Sequence, residues 1–136
     1  MNDTLYIDRL TYQEVGSRSA KVFAGDVLDK KKIEKALSLL SQGKLKFIEA
    51  SNEEECISIT IRIDGQKSWI GILDSCDESS YIYDNQTDDE NAVAIAGDDY
   101  PGWAICSEIE TAKQIFAEFA YNGVRLSSVA WREDDM

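Results

Sequence analysis

The sequence predicts an α+β domain: an antiparallel β-meander sheet of about five to seven strands, with two α-helices packed on one face. Three observations lead there. Ile33, Ala36, Leu37 and Leu40, and again Ile109, Ala112, Ile115, Phe116, Phe119 and Ala120, recur at helical spacing. Between these stripes, β-forming residues come in short runs separated by polar turns. The chain has 136 residues, enough for one core and short for two, so 1–136 reads as a single domain. A sheet with both helices over one face buries both stripes at once.

Taken in order, "TLYIDRL" (Thr4–Leu10) and "SAKVFA" (Ser19–Ala24) read as strands. Asp29 is placed to cap the first helix, with Leu28 and Ile33 as a hydrophobic staple and Gly43 as the stop. Lys30, Lys31 and Lys32 sit at the positive end of that helix and read as a solvated face. "LKFIEA" (Leu45–Ala50) and "CISITIRI" (Cys56–Ile63) follow as strands, the second with Ile57, Ile59, Ile61 and Ile63 on one side. "DGQK" is a hairpin signal before "SWIGIL" (Ser68–Leu73). "SYIYD" (Ser80–Asp84) and "AVAIAG" (Ala92–Gly97) complete the expected meander, and "DDYPGWAIC" reads as irregular. In the second helix Ser107 and Glu110 have capping-box spacing, and Asn122-Gly123 ends it. Val124 falls where it can pack back on Phe119. "VRLSSVAW" (Val124–Trp131) reads as the last strand.

If the isoleucines of Cys56–Ile63 face the helices, alternation places Trp69, Leu73, Tyr81 and Tyr83 together on the far side. That face is then either covered by the N-terminal strands or left as an aromatic, carboxylate-ringed contact surface.

Charge decides which chemistries remain. The net charge is −12. Glu49 to Asp99 holds 14 acids against Arg62 and Lys67, while the other segments carry 12 acids and 12 bases. The whole excess therefore lies mid-chain. Such a field repels nucleic acid and anionic lipid and draws in basic protein surfaces, although net charge also serves solubility alone. There is no histidine, no glycine-rich phosphate loop and no nucleophile elbow. The carboxylate pairs Asp88-Asp89 and Asp98-Asp99 fall in expected loops, where solvation works against a perturbed catalytic dyad. "DNQTDDENA" (Asp84–Ala92) lacks the glycine and terminal glutamate of a calcium loop. Cys56, Cys76 and Cys106 are odd in number and widely spaced, which reads as free, mostly buried thiols in a reducing cytoplasm rather than zinc ligands. The N-terminus shows no basic-then-apolar leader, and no run approaches the roughly 18 apolar residues of a membrane span. The expectation is a cytoplasmic protein that is not an enzyme, with no cofactor, no metal, no nucleic-acid partner and no membrane partner.

The segment "SEIETAKQIFAEFAYNGVRLSSVAW" resembles the C-terminal signature of the bacterial polymorphic-toxin immunity family numbered one, of the contact-dependent inhibition type. The matching residues are Ile109, Ala112, Glu118-Phe119, Gly123, Val129 and Trp131. A proline common after the glycine in that family is absent here. The resemblance implies a cognate immunity protein that neutralises a nuclease or nucleic-acid deaminase toxin domain as a heterodimer. The charge distribution then suggests how: an acidic surface covers the toxin's basic cleft. The expected contact residues are Asp84, Asp88, Asp89, Glu90, Asp98, Asp99 and Tyr100, with Tyr83 or Trp103 as a central aromatic. The alternative is an acidic adaptor or nucleic-acid mimic that binds a host DNA-binding protein.

Overall fold

The isoleucine periodicity in the middle of the chain organises the molecule. In the computed structural model, which describes residues 5–135, the elements are β1 (Arg9–Glu14), β2 (Lys21–Ala24), α1 (Lys30–Ser41), β3 (Leu45–Asn52), β4 (Ile57–Asp64), β5 (Lys67–Asp74), β6 (Ser79–Asp84), β7 (Ala92–Ile95), β8 (Asp98–Pro101), β9 (Ile105–Cys106), α2 (Ile109–Asn122) and β10 (Ala130–Asp135). The fold is α+β. Among the described residues the main sheet runs β10-β6-β5-β4-β3-β1-β2, all antiparallel, with the short β9 also paired to β5.

Both helices lie on one face. In β4, Ile59, Ile61 and Ile63 are buried; Ile59 and Ile61 stand opposite Ile72 and Ile70 of β5 and Ala50 and Ile48 of β3. Against this floor pack Ile33, Leu37 and Leu40 of α1 and Ile115, Phe116 and Phe119 of α2. Asp29 caps α1 as its spacing predicts, its carboxylate accepting from the Lys32 amide at 3.0 Å. Gly123 ends α2 at φ +72°, a conformation in which a Cβ would also collide with the Tyr6 ring.

Several expectations are corrected. The expected Thr4–Leu10 strand begins in fact at Arg9, and Thr4 lies outside the described residues. Ser107 does not cap α2: the cap position is Glu108, without a side-chain bond, and Glu110 instead accepts a hydrogen bond from Ser41 of α1. Val124 is about half exposed, and it is Tyr6 that meets Phe119 edge-on at 5.7 Å. The last strand starts at Ala130 rather than Val124, and the Leu126 carbonyl before it accepts from the Trp131 indole N–H at 3.0 Å. Cys56 and Cys76 are not free thiols but form a disulfide. Cys106 is the free and buried one.

The largest correction concerns the far face. β7 does not extend the meander. Among the described residues it pairs with β8 alone, within the segment expected to be irregular, and this two-stranded ribbon folds over the far side of β4 and β5. Ile95 is 0% exposed beneath it. Tyr81 pairs with Ile72, and Ile82 with Gly71, so Tyr81 and Tyr83 belong to the helix side and only Trp69 and Leu73 remain on the far face. A one-residue difference in register moves every side chain of a strand across the sheet, and alternation within one strand does not fix its register against the next. The N-terminal strands do not cover the far face either; they extend the sheet at its edge.

Candidate functional site: two acidic surfaces

The loop from Asn85 to Asn91 is held by its own backbone needs. Asn85 Nδ2 donates to the carbonyls of Gly102 at 2.8 Å and Ile105 at 2.9 Å, and its Oδ1 accepts from the Thr87 amide and hydroxyl. The Asn85 amide donates to Trp103 O, the Trp103 amide to Asp89 O, and the Gly102 amide to Asn91 O. Loop and strap are thereby zipped together. Gly102 has no alternative: a Cβ there would lie 2.3 Å from Asp89 Oδ2.

This packing spends several of the expected contact residues internally. Asp84 and Asp88 each lie 3.5 Å from the Arg132 guanidinium, which sits 3.7 Å over the Trp103 ring. Trp103 is 8% exposed and lies beneath the Arg132 guanidinium. Asp98 pairs with Arg62 at 2.9 Å, and Tyr100 stacks on Trp69 at 5.1 Å, pinning the ribbon to the sheet. Asp89 accepts from the Asn91 amide. Glu90 and Asp99 are exposed and unpaired among the described residues. Tyr83 stands apart from all of them on the helix side, edge-on to Trp131 at 6.5 Å. Burial and then the neighbouring Cys106 thiol push its phenol up to about 12. The Cys106 thiol is itself pushed up by burial and donates to the Glu108 carbonyl at 3.3 Å, so at neutral pH it is protonated and a weak nucleophile.

A second surface escaped sequence reasoning. The β3–β4 and β5–β6 turns lie at the same end of the sheet, because Ile57 pairs with Asp74 and Asp74 with Ser79. They bring Glu53, Glu54 and Glu55 beside Asp77 and Glu78, with Asp134 of β10 on the flank. None of these six forms an ion pair among the described residues. The turns are braced by their own contacts. The Glu55 amide donates to Asn52 Oδ1, the Glu53 amide to Asp8 Oδ2 and the Asp77 amide to Asp74 Oδ1, each at 3.0 Å, and the Cys56–Cys76 bridge ties the two together. Glu55 and Asp74 also help burial push the Tyr6 phenol up. The available signal was "EEEC" and "CDES": each cysteine adjoins an acidic turn.

Among the described residues no group of three His, Cys, Asp or Glu side chains is arranged to hold a metal ion, and no helix is long and apolar enough to cross a membrane. What both surfaces can do is attract and orient cations on a partner. The chain belongs to DUF6911, a family of unknown function, which matches residues 18–127. No curated protein and no solved structure matches the chain.

Proposed function

We propose that this DUF6911 protein is a cytoplasmic immunity protein that binds a basic bacterial toxin domain, a nuclease or nucleic-acid deaminase, one to one and covers its cleft. The observation that carries the reading is the acidic end of the sheet: exposed carboxylates without cationic partners among the described residues, fixed on two braced turns. A cleft that handles nucleic acid is lined with lysine and arginine. A rigid carboxylate array meets it with fast, steered association and little ordering cost. The helix–glycine–strand segment from Ile109 to Trp131 supports the same reading through its resemblance to the immunity signature, since Ile109, Phe116 and Phe119 are core residues that leave the charged surface free to vary.

The test is co-expression with the toxic C-terminal domain encoded by a neighbouring gene, followed by size-exclusion chromatography with light scattering. Restored growth and a one-to-one complex are expected. No complex and no protection would overturn the reading. Capture of a host DNA-binding protein, released from DNA by this chain, would replace it with the adaptor reading.

A further inference from the structure

We propose that the Cys56–Cys76 disulfide is a reversible staple that decides whether the acidic end of the sheet is presented as one surface. The inference rests on the reading above only for what that surface binds. Backbone pairing of β4 with β5 ends at Ile57 and Asp74. Beyond it the two acidic turns are joined by the disulfide, whose Cα atoms lie 5.5 Å apart, and by Ser75, whose amide and hydroxyl donate to the Cys56 carbonyl at 2.9 and 3.1 Å.

Two features oppose this closure. Glu53, Glu54 and Glu55 on one turn carry the same charge as Asp77 and Glu78 on the other, and the turns are joined where Cα atoms lie 5.5 Å apart, inside the roughly 10 Å screening length of dilute salt. Cys56 and Glu78 also hold φ of +57° and +54°, left-handed values that side-chain-bearing residues keep only where the surroundings impose them. Opening the covalent bridge removes one constraint from a region under both stresses. The Glu53–Glu55 turn then relaxes away from Asp77 and Glu78, and the local charge density falls.

The exchange is chemically complete with a dithiol reductant. Its thiolate attacks the sulfur of Cys76, which is exposed, forming a mixed disulfide and releasing Cys56 as a thiolate that takes up a proton. The reductant's second thiol then attacks the mixed disulfide. Cys76 leaves and is protonated, and the reductant departs as a cyclic disulfide, two electrons having entered the protein. A small-molecule disulfide reverses the sequence. Cys56, on the other side of the bridge, lines an open hollow of about 440 Å³ with Arg9, Ser51 and Ser75. Cys106, 1% exposed, stays outside the exchange.

The experiment compares the oxidised protein, the dithiol-reduced protein and the Cys56→Ser/Cys76→Ser variant by amide hydrogen exchange and by binding to a short poly-lysine peptide at low salt. Reduction should speed exchange at Glu55, Cys56 and Asp77 by about tenfold or more while leaving Ile48 and Ile59 unchanged, the signature of local opening. Poly-lysine affinity should fall severalfold, and Cys106→Ser should keep the full difference between states. Should the double variant not fold, reduced wild-type protein makes the same measurement. Two titratable thiols after treatment with oxidant, equal turn exchange in both states, or equal poly-lysine binding would each overturn the staple. A toxin domain that binds neither state would overturn the immunity reading instead, and the exchange and poly-lysine results would still decide the staple.

Discussion

The guanidinium of Arg132 lies 3.7 Å over the indole of Trp103 and reaches Asp84 and Asp88 at 3.5 Å each. One side chain from β10 thus holds down a loop nearly fifty residues earlier in the chain. Arg132→Ala removes the cation over the ring and both ion pairs. Since Arg132 and Asp88 are solvent-accessible, the combined cost is modest, about 1–2 kcal/mol in a denaturation series. Arg132→Lys should keep only part of it, because an ammonium retains a cation–π attraction to the indole but neither lies flat on the ring nor spans two carboxylates. Full stability in Arg132→Lys would refute the stacking account.

A second prediction concerns how the ribbon is seated. A Cβ on Gly71 would lie 2.5 Å from the Trp69 ring, the same ring that stacks on Tyr100 of β8. Gly71→Ala must displace Trp69 and loosen the ribbon, at a cost of about 1–3 kcal/mol for an overpacked site. Adding Trp69→Ala removes the clash, so the double variant should lose less than the two single losses together. Simple additivity in thermal or chemical unfolding would show that Trp69 is not what Gly71 accommodates.

The contrast between these two sites and the helices shows what was legible in the sequence. Asp29, the Ile33–Leu40 stripe and Gly43 define α1 through contacts within a few residues, and local spacing is sufficient for that. Where β7 goes is a different kind of question. "AVAI" has the composition of a strand in either place, and it is the Trp69–Tyr100 stack, the Arg62–Asp98 pair and buried Ile95 that put it over the far face. Cross-strand register, not alternation, fixes the side on which Tyr83 lies. Nothing local in the sequence connects Arg132 with Asp84 and Asp88, which lie so far from it along the chain. The cysteine count was odd, which concealed a bonded pair alongside one buried thiol.

Alkaline pH should expose the burial of Tyr83. Its phenol is pushed up to about 12, by burial and by the Cys106 thiol, whereas an unfolded tyrosine ionises near about 10. Between those values the unfolded chain has given up a proton that the folded chain retains, so the unfolded state binds fewer protons and stability falls as pH rises. Below that window the contribution is whole. Denaturation series across it should show a downward slope that Tyr83→Phe reduces; Cys106, also pushed up, and Tyr6 account for what remains. Phenolate absorbance should show Tyr83 ionising late. An unchanged slope in Tyr83→Phe would mean that its surroundings are wetter than the structure describes.

The docking surface can be assigned by comparing two charge-neutralised variants. Glu53→Gln/Glu54→Gln/Glu55→Gln empties the unpaired turn, while Asp88→Asn/Asp89→Asn/Glu90→Gln empties the loop. In the loop, Arg132 already offsets Asp88, and Asp89 is committed to the Asn91 amide. Carboxylates that retain their full field should steer a basic partner more strongly than those balanced internally. The glutamate-turn variant is therefore expected to slow association with the toxin domain about tenfold at low salt and to flatten its salt dependence, as rim charges do. The loop variant should slow it only about two- to threefold by the same reasoning. Lys30→Ala/Lys31→Ala, on the exposed start of α1, should leave the rate unchanged. A larger loss in the loop variant would move the docking site onto the ribbon face. A loss in the lysine variant would point to an acidic partner, and rates equal to wild type and insensitive to salt in both acidic variants would leave the net charge of −12 to solubility alone.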